Sequence, residues 1–363
     1  MKRWLPLLLC LYCGLSAAQT VEPEVLRALQ QAQAAQSKGE HARGLQLLEA
    51  LSPEKNSFAE ALVLRNKAYL AWQAGQEQKA AGYLQQALQS GQLSADDKRE
   101  DSLNLGKLYL QLKRPAQALS ALKGQPQTSE VLQLSIQAWQ MQGRYDQALP
   151  LAERYLAGQQ NISLQWLQFM VAAHADLKQY SKAAQWQHRI LKRNPDSFAH
   201  WKQLAGLQQA AGEAPAAFAT LRTAYSKNLK MGAQDLQQML ALATAAQQPW
   251  QGARLLQELM RTGKLPNDAK QQETLAQLYW QARDRSKAIE LYQQLAERGN
   301  KAEHWLILAQ LAMQQQNWEL SANALNSAQR AGASRKRVQS WRDWLESSKE
   351  AERIAQEGVA AKL

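Results

Sequence analysis

A small residue returns about every 34 positions along this chain. Gly44, Ala80, Ala118, Ala148, Ala183, Ala217, Ala253, Ala288 and Ser321 are separated by steps of 36, 38, 30, 35, 34, 36, 35 and 33 residues. A period of that length marks an array of helix–turn–helix units that stack on one another. Such arrays bind other molecules and almost never do chemistry, so the period constrains both the fold and the kind of task.

The units share an internal plan. The third contains Leu105-Gly106-Lys107-Leu108-Tyr109 and then Pro115-Ala116-Gln117-Ala118-Leu119. The eighth contains Leu275-Ala276-Gln277-Leu278-Tyr279 and then Ser286-Lys287-Ala288-Ile289-Glu290-Leu291-Tyr292. In both, a small residue on the first helix precedes the marker on the second by 12 residues, a spacing also kept by Ala68/Ala80, Ala205/Ala217 and Ala241/Ala253. Antiparallel helices approach closely only where side chains are small, so this offset defines the crossing point. Leu275, Leu278 and Tyr279 share one stripe of the first helix, and Ile289, Tyr292 and Leu295 one stripe of the second. Gly75, Gly143 and Gly212 supply turn signals between helices, while Lys178-Gln179, Arg283-Asp284 and Gln316-Asn317 stand there in other units. Pro53, Pro126, Pro195 and Pro266 follow second helices, where a helix should stop. No segment alternates apolar and polar residues long enough to predict a strand.

These motifs resemble the tetratricopeptide repeat, whose pattern runs Trp, Leu-Gly or Leu-Ala, Tyr, Ala, an aromatic, Ala and a closing Pro. Trp201…Leu204-Ala205…Ala217…Leu221…Ala224 follows it, as does Trp305…Leu308-Ala309…Ala312…Leu325…Ala328. Gln179-Tyr180-Ser181-Lys182-Ala183…Ile190…Pro195 carries the turn aromatic and the closing Pro. The resemblance covers roughly residues 22–332 and implies an all-α, right-handed α-solenoid of about nine repeats, with the first repeat the most degraded.

Both ends read differently from the array. Met1-Lys2-Arg3, an apolar run from Trp4 to Leu15 and Ser16-Ala17-Ala18 form a secretory signal peptide over residues 1–18, with cleavage expected after Ala18. Its apolar run is shorter than the ~20 residues that cross a bilayer, so the mature chain is expected to have no transmembrane segment. Cys10 and Cys13 both lie in this leader. The mature chain therefore has no disulfide, thiolate ligand or Cys nucleophile, and the periplasm is its expected compartment. The array is expected over 19–332. A polar helix with Val338, Trp341, Trp344, Leu345 and Ile354 along one side is expected to cap it over 333–357, with Ser334 as N-cap and a frayed tail over 358–363.

The formal net charge is +12, or +10 once Lys2 and Arg3 are removed. The densest basic clusters are Arg335-Lys336-Arg337 with Arg342, and Lys182, Arg189, Lys192 and Arg193. They read as solvated helix faces, against the alternatives of acidic partners, anionic lipid or cell-wall polymer. Nucleic acid is not an expected partner, because the basic residues form no single stripe with stacking aromatics. His41, His174, His188, His200 and His304 include no pair at ligand spacing on one helix face, so neither metal nor cofactor is expected. His174 takes the usual Tyr place in a first helix. Asp96-Asp97 with Glu100-Asp101 lacks the oxygen pattern of a calcium loop and reads as acidic residues at a helix N-terminus. No catalytic motif is present, and no catalytic residue is assigned. Trp201, Trp305, Trp250 and Trp318 fall at repeat-defining packing positions, whereas Trp72 and Trp280 lie one residue beyond the Tyr position and turn inward.

The family resemblance implies a groove lined by first helices. Its positions here are Arg65, Tyr69, Trp72, Lys107, Gln133, Gln137, Gln140, Lys202, Gln277, Trp280 and Gln310. Glutamine donates and accepts, which suits a peptide backbone, but it is also a good solvated helix former, and the sequence leaves both readings open. The groove has no Lys/Arg cluster of the sort cytosolic chaperone adaptors use for carboxylates. The expected role is a non-catalytic periplasmic scaffold for protein partners. The layout, Trp201-Lys202-Gln203-Leu204-Ala205-Gly206-Leu207 and Ser340-Trp341-Arg342-Asp343-Trp344-Leu345 look like the periplasmic tetratricopeptide proteins of TonB systems. That resemblance implies TonB-complex or outer-membrane receptor partners. The alternative is a scaffold for envelope polysaccharide export or cell-wall assembly. The packing register makes its own prediction: Ala148→Leu should overpack the fourth unit and cost about 1–3 kcal/mol in thermal unfolding.

Overall fold

The computed structural model describes residues 21–360. The leader expected over 1–18 and residues 361–363 of the expected tail lie outside the described residues. Nineteen helices occupy the described residues, and no strand is found among them. They fall into two compact units that divide after Lys178. The first holds α1 (Pro23–Ser37), α2 (His41–Glu49), α3 (Phe58–Gln73), α4 (Glu77–Gln89), α5 (Ala95–Gln111), α6 (Pro115–Leu122), α7 (Ser129–Met141), α8 (Tyr145–Leu156) and α9 (Leu164–Asp176). The second holds α10 (Tyr180–Arg193), α11 (Phe198–Ala210), α12 (Ala214–Ser226), α13 (Ala233–Ala245), α14 (Pro249–Arg261), α15 (Ala269–Gln281), α16 (Arg285–Gly299), α17 (Ala302–Gln314), α18 (Trp318–Arg330) and α19 (Arg335–Ala360). Within each unit a helix packs chiefly on its sequence neighbours, so each is a stretch of α-solenoid.

One turn conformation joins every first helix to its second. The residue two before each second helix has a left-handed backbone: Gly39, Gly75, Lys113, Gly143, Lys178, Gly212, Gln247, Arg283 and Gln316. In the eight hairpins that lie within one unit, the next residue donates its N–H to a first-helix carbonyl five residues back. Examples are Gln76 to Ala71 at 2.8 Å, Glu213 to Gln208 at 2.8 Å and Asn317 to Ala312 at 2.9 Å. This is the Schellman closure, which satisfies carbonyls left free at a helix end. First helices often start on a hydroxyl or carboxylate cap. Ser57, Ser94, Thr128, Ser163 and Asp268 each accept a hydrogen bond from the N–H three residues on.

Five residues after the left-handed residue, at the fourth position of the second helix, comes the buried small residue. Gly44, Ala80, Ala118, Ala148, Ala183, Ala217, Ala288 and Ser321 all occupy it. In the seventh hairpin that position belongs to Gly252, not Ala253. Its expected partner also differs: Ala241 is exposed, and a Cβ on Gly252 would stand 3.1 Å from the Ala243 methyl. At the third crossing a Cβ on Gly106 would lie 2.9 Å from the Leu122 side chain, closer than carbon atoms pack, so a larger residue there requires Leu122 to shift. Ser321 brings a hydroxyl into the same buried place, where it donates to the Ala309 carbonyl at 3.1 Å.

The first unit's core runs through Leu48, Val63, Leu84 and Leu108. The second unit's runs through Leu221, Met239, Leu256, Leu308 and Leu325. Val338 and Leu345 of α19 close the latter, and Arg337 donates its backbone N–H to Ser334 Oγ at 3.3 Å. The helix continues to Ala360, beyond the expected end at 357.

Non-glycine residues at left-handed turn positions are strained by their own Cβ. Replacing Lys113, Gln247, Arg283 or Gln316 singly by Gly should raise stability by about 1 kcal/mol, and Gly75→Ala or Gly212→Ala should lower it by a similar amount. Urea unfolding of each variant checks both signs.

Candidate partner-binding cleft

Polar links between first helices step along each unit at intervals close to one repeat. Arg65, on α3, meets the acidic start of α5: its Nη1 is 2.6 Å from Asp97, its Nε 2.6 Å from Asp101 Oδ2, and its Nη2 3.7 Å from Glu100. The Tyr69 hydroxyl donates to Asp101 at 2.7 Å and accepts from Asn104 at 3.0 Å. Burial pulls the Arg65 guanidinium down, but the charge and hydrogen bond of Asp101, with Tyr69 and Asp97, together outweigh this and hold it above its ordinary value. Burial, followed by the same carboxylate, pushes the Tyr69 phenol well up. Burial also pushes the Asp101 carboxyl up, against the pull of Arg65 and Tyr69.

Three members of the acidic run, Asp97, Glu100 and Asp101, therefore also receive Arg65 from the previous repeat. The expected helix-terminal place also holds: Asp96 and Asp97 stand in the first turn of α5, and the Asp97 N–H bonds the Ser94 cap. Arg65 and Tyr69 belong to this packing between helices rather than to an open surface. Trp72 Nε1 donates to Gln111 at 3.2 Å across the same pair of helices.

Two other expected groove residues are similarly engaged. Lys107 Nζ lies 2.7 Å from Glu130 on α7, and Lys202 Nζ 2.7 Å from Asp235 on α13. Burial would raise the Asp235 carboxyl, but Lys202 and the Gly232 N–H together hold it below its ordinary value. Trp280 is half-buried with its ring edge-on to Tyr292, at 6.3 Å between centroids. Gln277 is exposed and Gln310 half-buried. His174 is buried, as its Tyr-like place in α9 requires. Trp250 is 48% exposed, so its expected packing role is corrected. Pro249 takes the first helical position, and Trp250 is rotated outward by one residue.

The remaining three residues come together. Gln133, Gln137 and Gln140 of α7 line a cleft of about 660 Å³ with Gln165, Trp166, Gln168, Phe169 and Ala172 of α9. Its wall is aromatic. Trp166 sits edge-on to Phe169 at 5.6 Å and 4.8 Å from Tyr155, while Tyr145 lies 6.1 Å from Phe169. Gln133 Nε2 donates to the Tyr155 hydroxyl. The amides of Gln137, Gln140, Gln165 and Gln168 are exposed and make no side-chain hydrogen bond to the other described residues. The α9 contribution was missed in the sequence, although moving Gln133 forward by the 35-residue step lands on Gln168.

Among the described residues no group of three His, Cys, Asp or Glu side chains is placed to hold a metal ion. No described helix is long and apolar enough to cross a membrane.

Residues 273–335 match the family model described as Tetratricopeptide repeat. That segment spans most of the eighth and ninth hairpins, whose turn and buried small residue recur in the other seven. No curated protein matches the sequence. Among solved structures, a tetratricopeptide repeat protein from Parabacteroides merdae is 16% identical, with 79% of this chain and 99% of that chain covered and a TM-score of 0.34. The C-terminal part of a repeat-containing protein from Cytophaga hutchinsonii is 14% identical, covering 74% and 94% with a TM-score of 0.38. The TPR2AB domain of yeast Sti1, solved in a pHSP90 complex, is 13% identical, covering 71% and 98% with a TM-score of 0.39. Likeness at this level carries no functional information.

The Arg65 network makes a specific prediction. Arg65→Ala leaves Asp101 buried without its guanidinium and should cost about 3–5 kcal/mol in urea unfolding. Replacing the pair together as Arg65→Met with Asp101→Leu should recover much of that loss.

Proposed function

We propose that this chain is a non-catalytic scaffold that holds an extended segment of a partner protein in the α7/α9 cleft. The observation that carries this reading is the set of four glutamine amides, uncommitted among the described residues, beside the Trp166–Phe169 wall. Each amide offers both a donor and an acceptor, which matches the alternating groups of a peptide main chain. The aromatic wall supplies the apolar contact that gives such clefts most of their affinity. Lys107 and Lys202 serve mainly as helix-to-helix links, so recognition falls to neutral amides rather than to a basic clamp.

The leader-like start of the sequence supports a periplasmic setting. The resemblance of residues 201–207 and 340–345 to periplasmic repeat proteins of TonB systems supports an accessory role in TonB-dependent uptake, with a TonB-complex or receptor component as the partner. Cross-linking in whole cells followed by identification of captured proteins tests both levels. The wild type should retain TonB-complex components, and Gln137→Ala with Gln168→Ala should lose at least about tenfold of the captured partner at unchanged helicity. Unchanged capture by that variant removes the cleft from the site. Capture of polysaccharide synthases or wall enzymes instead would transfer the scaffold to envelope assembly.

A further inference from the structure

The second helices of the second unit carry a surface that the cleft does not use. α10 contains Lys182, Arg189, Lys192 and Arg193 and no acidic residue. Lys182, Arg189 and Lys192 are spaced by seven and three, which keeps them on one face. α12 contains Arg222 and no acidic residue. α14 contains Arg254 and Arg261, again seven apart, with Glu258 between them. Adjacency is direct: Ser181 of α10 donates to Glu213 just before α12, and Tyr225 of α12 donates to Glu258 of α14. That bond occupies the one carboxylate on these three helices. Among the described residues none of the seven basic side chains named here has a carboxylate partner within ion-pair distance. The face ends at α16, where Glu290 and Glu297 restore mixed charge.

Aromatic rings accompany the cations. Arg189 stacks 4.4 Å from the Trp186 ring, Arg254 4.9 Å from Trp250, and Lys264 4.3 Å from Tyr225. Trp250 is the most exposed of these rings. Between α12 and α14, Arg222, Arg254 and Arg261 share an open cleft of about 470 Å³ with Leu255, Gln257 and Glu258, and the Glu258 carboxylate there accepts from the Tyr225 hydroxyl. Guanidinium groups converging on a hollow suit phosphate oxygens, which they hold through paired N–H donors. Exposed indole beside fixed cations is the composition found where protein meets lipid headgroups.

We propose that the α10–α12–α14 face docks on an anionic phospholipid surface, with headgroup phosphates at Arg222, Arg254 and Arg261 and Trp250 at the interface. Charge complementarity selects this occupant. The positive residues spread across three helices, as a surface contact needs, rather than following one narrow track.

The test is co-sedimentation of the full chain with vesicles of phosphatidylcholine alone and of phosphatidylcholine mixed with phosphatidylglycerol. Binding should require phosphatidylglycerol and weaken as salt rises. Arg254→Gln with Arg261→Gln should reduce it roughly 30-fold, while Arg335→Gln with Lys336→Gln, an equal charge change on α19, should change it less than about twofold. The apolar run Trp4–Leu15 is common to all these chains, so differences among variants read the basic face. Circular dichroism confirms that both variants keep their helicity. Absence of a phosphatidylglycerol requirement, or equal loss in both double variants, overturns the proposal. Retention of the wild type on immobilised polyglutamate but not on mixed vesicles also overturns it, in favour of an acidic protein partner.

Discussion

Within each unit every hairpin depends on one close helix crossing, set by a left-handed turn residue and the buried small residue five positions later. The turn ends the first helix by a reverse hydrogen bond and aims the chain back along it. The small residue then lets the two backbones approach. Larger apolar side chains pack around that point. This explains how Gly, Ala and Ser can share the position, and how Ser321 enters it by giving its hydroxyl to a carbonyl.

The period and the helix count were legible because a crossing of this kind restricts residue size at one register. The register slipped by one in the seventh hairpin, where Gly252 and Ala253 are both small and adjacent. The same one-residue shift turned Trp250 outward, since each step along a helix rotates a side chain by about 100°. The offset of 12 residues was less informative. Ile136, Val171 and Leu240 stand there in three hairpins, all buried, so the first helix tolerates bulk that the second does not.

The site was legible in part. Gln133, Gln137 and Gln140 share a cleft because they recur on one face of α7. Arg65, Tyr69, Lys107 and Lys202 also lie on first helices, but their partners stand a repeat or so away in sequence, where no local pattern pairs them. The acidic start of α5 offered a sufficient local explanation in the helix terminus, and this concealed its role as the seat for Arg65. Trp166 and Phe169 passed unnoticed because they precede the position where the repeat keeps its diagnostic residues.

The links between helices also bear on how the chain reaches this structure. From Arg65–Asp97 to Lys202–Asp235, partners within a unit are separated by little more than one hairpin. The contact order is accordingly low, and closing each loop costs little entropy compared with pairing distant segments. A ribosome delivering this chain could see each hairpin close as soon as the next one emerges, without waiting for the far end to be made.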